Sequence, residues 1–147
     1  GAGVVEDKLA RDKTRESFAR VFETKVNGAL AIAEHVRDDV SFIVFFSSIV
    51  ATFGNRGQSD YAAANDVLDR LATLLRRKRN ARVLSINWGP WNDAGMVSPE
   101  LSREYARRGI GLIEPPAGVA SFLDELLYGS PEDAQVILMR GDPSAMR

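Results

Sequence analysis

Phe45-Phe46-Ser47-Ser48 and, after a loop broken twice by glycine, Tyr61-Ala62-Ala63-Ala64-Asn65 enclose the stretch on which the reading of this chain turns. The run from Ser41 to Phe46 is short, apolar and rich in β-formers. That pattern predicts a central strand buried on both faces of a parallel sheet. Ser47 and Ser48 then stand at its carboxyl end, where open α/β sheets collect their ligands. Gly54 and Gly57 interrupt the loop, and Ser59 and Asp60 are good N-cap types, so a helix is expected from about Tyr61. Tyr61 and Asn65, four positions apart, share one face of that helix. A strand-end serine beside a phenol suggests work on a carbonyl, the serine orienting and polarising it while the phenol donates a proton. Phenol has an ordinary pKa of about 10, so such chemistry needs a nearby cation. Lys25, on the preceding helix, is the candidate.

That preceding helix is read over residues 15–36, its apolar positions Phe18, Val21, Phe22, Val26, Leu30 and Ala33 recurring at three and four. By periodicity alone Lys25 is a lysine flanking an apolar stripe, usually a snorkelling surface residue. Beyond Asn65 the same helix continues through Val67, Leu68, Leu71, Leu74 and Leu75 to Asn80, with Asp66, Asp69 and Arg70 on its wet face. Arg76 to Arg79 reads as its solvated last turn, where cations suit the dipole. Arg82 to Asn87 is a second strand, feeding Trp88-Gly89-Pro90-Trp91 and Met96 at the same edge as Ser48. A short helix follows to about Arg108, then Gly109 and Gly111. Another helix starts at Glu114-Pro115-Pro116, with Val119, Phe122, Leu123, Leu126 and Leu127 inward, and residues 135–139 form the last strand. Alternating strands and helices predict an α/β fold with three parallel strands, residues 1–5 being a candidate fourth. The domain is read as residues 1–142 and the tail as 143–147.

At 147 residues the chain suits one domain with a real core. A net charge of −1 gives no argument for nucleic acid or an anionic membrane. Without cysteine, disulfides and thiolate chemistry are excluded, and a cytoplasmic setting is compatible. No apolar run is long enough for a bilayer, and the start lacks a signal-peptide pattern. The one histidine, His35, reads as a solvated helix-end residue rather than a metal ligand, and no metal is expected.

Lys25 in Lys25-Val26-Asn27-Gly28, Ser48, and the string Gly57-Gln58-Ser59-Asp60-Tyr61-Ala62-Ala63-Ala64-Asn65 resemble the ketoreductase domains of modular polyketide synthases, a branch of the short-chain dehydrogenase/reductase family. Most of that family has Tyr-x-x-x-Lys; the synthase ketoreductases carry asparagine there and the lysine on the preceding helix, as here. The resemblance implies a partial Rossmann-like fold. Gly1 to Val5 then resembles the strand end beside the nicotinamide ribose, and the glycine-rich turn for the pyrophosphate, absent here, belongs to an upstream half. NADPH is the implied cofactor, with Gly3, Lys25, Tyr61, Gly89 and Pro90 toward it. The implied substrate is a β-ketoacyl thioester on an acyl carrier protein, with Lys25, Ser48, Tyr61 and Asn65 catalytic and Asp7, Phe53, Trp91 and Met96 steering it.

In the resembled family the D-product class shares a Leu-Asp-Asp motif and the L-product class a tryptophan eight residues before the tyrosine; Val5-Glu6-Asp7 and Phe53 stand at these places and favour the D-product. Two alternatives stand beside this reading: a non-catalytic structural fragment of such a reductase, and the ketoreductase of a fatty-acid-type synthase. A sheet cut at residue 1 also exposes an edge and apolar helix faces to the missing half or to a second copy.

Overall fold

The structure, a computed structural model, describes residues 3–92, 99–142 and 144. A 3-10 turn at Ala10–Asp12 precedes α1 (Arg15–His35), β1 (Phe42–Ser48), α2 (Ile49–Phe53), α3 (Ser59–Arg76) and β2 (Arg82–Trp88). Then come α4 (Pro99–Arg107), β3 (Ile110–Gly111), α5 (Pro115–Tyr128), β4 (Gln135–Leu138) and β5 (Arg140–Gly141). The three longer strands form one parallel sheet in the order β1-β2-β4, and β3 pairs antiparallel with β5. Helices flank the sheet on both faces, a partial Rossmann-like arrangement. Residues 3–5 form no strand, so the candidate fourth strand is not seen among the described residues. Of the tail from 143, only Ser144 is described.

Alternation along β1 and β2 sorts their side chains onto two faces. Ile43, Phe45 and Val83 pack with Ala29 of α1 and Leu68, Leu71, Ala72 and Leu75 of α3. On the other face Leu84, Ile86 and Trp88 meet Ile113 and Phe122. β2 is buried on both sides, whereas β1 is the sheet's edge and is buried on one. Its other row, Phe42 and Phe46, is 53% and 54% exposed, which corrects the expectation of a strand covered twice. The reason is position: Phe122 of α5 packs on the cluster built on β2, where Val44 is half-buried, and it meets Phe46 of β1 edge-on.

The helices are rotated relative to their periodicity. α1 buries Ser17, Val21, Val26 and Ala29, leaving Phe18 and Leu30 outside. In α5 Gly118 and Phe122 face inward, while Val119, Leu123 and Leu127 are exposed. Gly118 is required there: a Cβ would stand 2.4 Å from Cη2 of Trp91. α3 ends at Arg76, four residues before the expected Asn80. The basic cluster after it is not all solvated. Arg79 donates to the Ala33 carbonyl at 2.9 Å, satisfying an unpaired acceptor at the end of α1, and pairs with Asp38.

The leading segment is pinned rather than loose. Glu6 accepts the Ser17 hydroxyl at 2.6 Å and the Arg20 guanidinium at 2.7 and 2.9 Å, and these bonds, Arg20's first, hold its carboxyl down at about 2. Lys13 donates to the Glu6 carbonyl at 2.9 Å and to Asp60 at 2.6 Å. Lys8 N–H donates to the Gly57 carbonyl at 3.0 Å. Asp60, expected as an N-cap, is instead a buried ion-pair partner inside the first turn of α3, which starts at Ser59 with Gln58 as its cap.

Candidate active site

The strand end and the two long helices converge as the spacing requires. β1 continues through Ser48, whose hydroxyl accepts Val50 N–H at 3.2 Å and so caps α2. α2 itself, within the expected loop, went unread: five residues are too few for periodicity to reveal. Gly54 and Gly57 follow with φ of +73° and +88°, backbone that favours glycine, and turn the chain into α3. Tyr61 and Asn65 then share one face of α3, opposite Lys25 of α1.

Lys25 is held at three points. Its ammonium donates to the Phe46 carbonyl at 2.8 Å, donates to Asn65 Oδ1, and lies 5.2 Å from the centroid of the Tyr61 ring. Asn65 is wholly buried; its amide nitrogen donates to the Tyr61 carbonyl at 2.8 Å, and its own carbonyl accepts the Ser47 hydroxyl at 3.3 Å. Asparagine thus links the lysine to the tyrosine's turn of helix. Burial lowers the Lys25 ammonium from 10.5 to about 8, against the opposing charge of Asp69. Burial raises the Tyr61 phenol, while hydrogen bonds to Asn65 and Ser48 pull it back. The phenol therefore keeps its proton at neutral pH with a cation beside it, an arrangement suited to giving that proton up to a forming oxyanion.

Lys25, Ser48 and Tyr61 line a cleft of about 920 Å³, along with Gly3, Gly89, Pro90 and Trp91, while Asn65 is wholly buried and is not part of its lining. A volume of this size is typical of small-molecule sites. Gly89 and Pro90 contribute shape more than bonding: Gly89 N–H donates to the Leu138 carbonyl at 2.8 Å, and the Pro90 carbonyl accepts Ile113 N–H at 2.7 Å. Trp91 stacks edge-on against Trp88 at 4.8 Å. Asp7 is gripped by the Gln58 amide nitrogen at 3.1 and 3.0 Å, and its charge acts on Tyr61. Phe53 does not itself line the cleft but packs against Ile49 and Tyr105, which do, and against Ile110. Met96 lies outside the described residues.

Three residues with a part here were not singled out from the sequence. Gln58 and Tyr105 both line the cleft, and burial raises the Tyr105 phenol. Asp69, read as wet, is 4% exposed. Its spacing was the available signal, since it continues the row of Tyr61 and Asn65 by one more turn.

A model of the KR domain matches residues 1–93. One polyunsaturated fatty acid synthase chain from Thraustochytrium sp. is 35% identical over 92% of this chain, and the polyketide synthase PksM of Bacillus subtilis 33% identical over 97%. The chain spans only 5% and 3% of those proteins. Among solved structures, the ketoreductase from the first module of phoslactomycin biosynthesis in Streptomyces sp. HK803 superposes with a TM-score of 0.89 at 32% identity. It matches 99% of this chain and 33% of its own. A ketoreductase domain from the bacillaene assembly line gives 0.86 at 33% identity, over 99% of this chain and 36% of its own. The matched model takes in Lys25, Ser48, Tyr61 and Asn65 together, and the superpositions extend the likeness to nearly every residue: this chain belongs to the KR domain family, with the ketoreductase domains of polyketide synthases.

Proposed function

We propose that this chain carries the proton-donating half of an NADPH-dependent reductase acting on a β-ketoacyl thioester borne by an acyl carrier protein. The observation that carries the reading is the Lys25 ammonium, bonded to Asn65 and set over the Tyr61 ring, in one cleft with Ser48. The residues present fit the nicotinamide end of such a cofactor: a cation and hydroxyls face a cleft walled by Gly89, Pro90 and Trp91. When bound, NADPH supplies the hydride. Ser48 donates a hydrogen bond to the ketone oxygen and orients it. Tyr61 gives its phenolic proton to the oxygen as negative charge develops there, and Lys25 stabilises the phenolate left behind. Asn65 holds the ammonium in place. Trp91 lines the acyl side, and Asp7 acts through Gln58 and the charge it presents to Tyr61, the D-hydroxy product being favoured.

The test is cofactor oxidation with a β-ketoacyl thioester surrogate, by this chain alone and with an upstream glycine-rich half supplied. Turnover is expected only with both halves. A verified, folded reassembly without turnover overturns the reading and leaves the structural alternative.

The pH dependence has a defined sign. Lys25 carries its charge below about 8, so kcat/KM should fall as pH rises past that value. A profile flat to pH 10 would show that no charge is needed there. Stability runs the other way. Between about 8 and 10.5 the unfolded chain binds a proton that the folded chain has released, so this group's contribution to stability rises with pH across that window.

A further inference from the structure

β2 turns Ser85 and Asn87, both wholly buried, toward α3, on a face that in a parallel sheet is ordinarily aliphatic. One carboxylate accounts for both. Asp69 of α3 accepts the Ser85 hydroxyl on Oδ1 at 2.6 Å. On Oδ2 it accepts the side-chain amide nitrogens of Asn87 at 2.8 Å and of Gln135 at 3.1 Å. The Asn87 nitrogen also donates to the Ser48 carbonyl at 3.0 Å. A carboxylate and a carbonyl can only accept, so the amide is fixed nitrogen-first. Its oxygen is left buried with no partner among the described residues. A buried acceptor without a donor is unfavourable, and apolar replacements of both partners can be nearly neutral. Stability alone therefore does not explain an amide kept on these terms. What its nitrogen does is tie the carbonyl of Ser48, at the end of the edge strand, to a charge in the core. Tyr61, Asn65 and Asp69 form one row on α3, and the charge of Asp69 is felt at Lys25.

We propose that Asp69 is a positioning residue for the reaction proposed above: through the Asn87 amide it holds the carbonyl of Ser48, and with it the strand-end hydroxyl, in place against Tyr61. This rests on the reductase reading.

The test uses the full reductase domain carrying this segment. Asp69→Asn keeps the size of the side chain but removes its charge and one acceptor. It is expected to lower kcat by about 10-fold or more, toward the roughly 10²-fold loss that ångström-scale misplacement brings, with KM for the thioester within about threefold. The alkaline limb should also move to lower pH. The groups facing Lys25 are the Tyr61 ring, Asn65 Oδ1 and the charge of Asp69 from α3 and the Phe46 carbonyl from β1, while Asp7 acts on Tyr61. Ser85→Ala removes the carboxylate's partner on Oδ1 and leaves the Asn87 and Gln135 bonds on Oδ2, so kcat should stay within about twofold even where the melting temperature falls. If Asp69→Asn does not fold, Asn87→Ala carries the test, with the same loss in kcat and unchanged KM. Wild-type kcat and pH limb in Asp69→Asn, wild-type kcat in Asn87→Ala, or an equal kcat loss in Ser85→Ala overturns the role. Absence of turnover in the unaltered enzyme overturns the reductase reading instead.

Discussion

Tyr61→Phe in a complete reductase is expected to lower kcat by about 10²–10⁴-fold and to leave NADPH affinity within about twofold. The substitution removes one oxygen and keeps the ring against which Lys25 stands at 5.2 Å. The bonds of Lys25 to Phe46 and Asn65 involve no phenol and survive it. What disappears is the proton itself, together with the hydrogen bonds that oppose the rise caused by burial. Loss confined to kcat identifies an interaction used in the transition state rather than in binding. Steady-state kinetics with a cofactor titration on the same preparation separates the two. Residual turnover within tenfold of the unaltered enzyme would remove the acid from Tyr61.

Lys13→Met is expected to cost about 3–5 kcal/mol of stability, as much as truncating a large core side chain. The side chains of Lys13 and Asp60 are 4% and 2% exposed, and their 2.6 Å contact lies beneath the start of α3. Removing one partner strands the other's charge, which is why the penalty exceeds that of a surface pair. Lys13 also satisfies the Glu6 carbonyl, so the leading segment loosens with it. Asp60 accepts Tyr61 N–H at 2.9 Å. Replacing both residues by apolar ones should therefore recover part of the loss and not all of it. Denaturant unfolding of the single and double variants measures this; a single-variant loss below about 1 kcal/mol would mean that the pair is solvated like an exposed one.

Much of the candidate site was legible because its signals are local. A strand-end serine, a tyrosine and an asparagine one turn apart, and a lysine beside an apolar stripe can all be placed by counting. The resemblance supplied their roles. What could not be counted was orientation. α5 carries apolar residues on two adjacent rows, and it is packing against Trp91, Ile113 and the β2 cluster that turns Gly118 and Phe122 inward while Val119 and Leu123 stay outside. The double burial expected of β1 failed for a similar reason, since a strand's composition does not tell whether its neighbours are present. Asp69 was misread because a carboxylate is assigned to water unless its partners are known. Those partners, Ser85, Asn87 and Gln135, come from two strands, 16, 18 and 66 residues further along the chain, and are brought to it only by the fold. Asp66 and Arg70, with their exposed pair, are as wet as expected.

The pinned leading segment sets a rule for recombination. Three contacts join it to the start of α3: Lys8 N–H to the Gly57 carbonyl, Gln58 to Asp7, and Lys13 to Asp60. A chimaera spliced anywhere between Lys13 and Gly57 inherits the two sides of all three from different parents, and with them the seat of Tyr61. Crossovers placed before Glu6 or after Asp60 keep each contact within one parent, so the stretch between them behaves as a single heritable block.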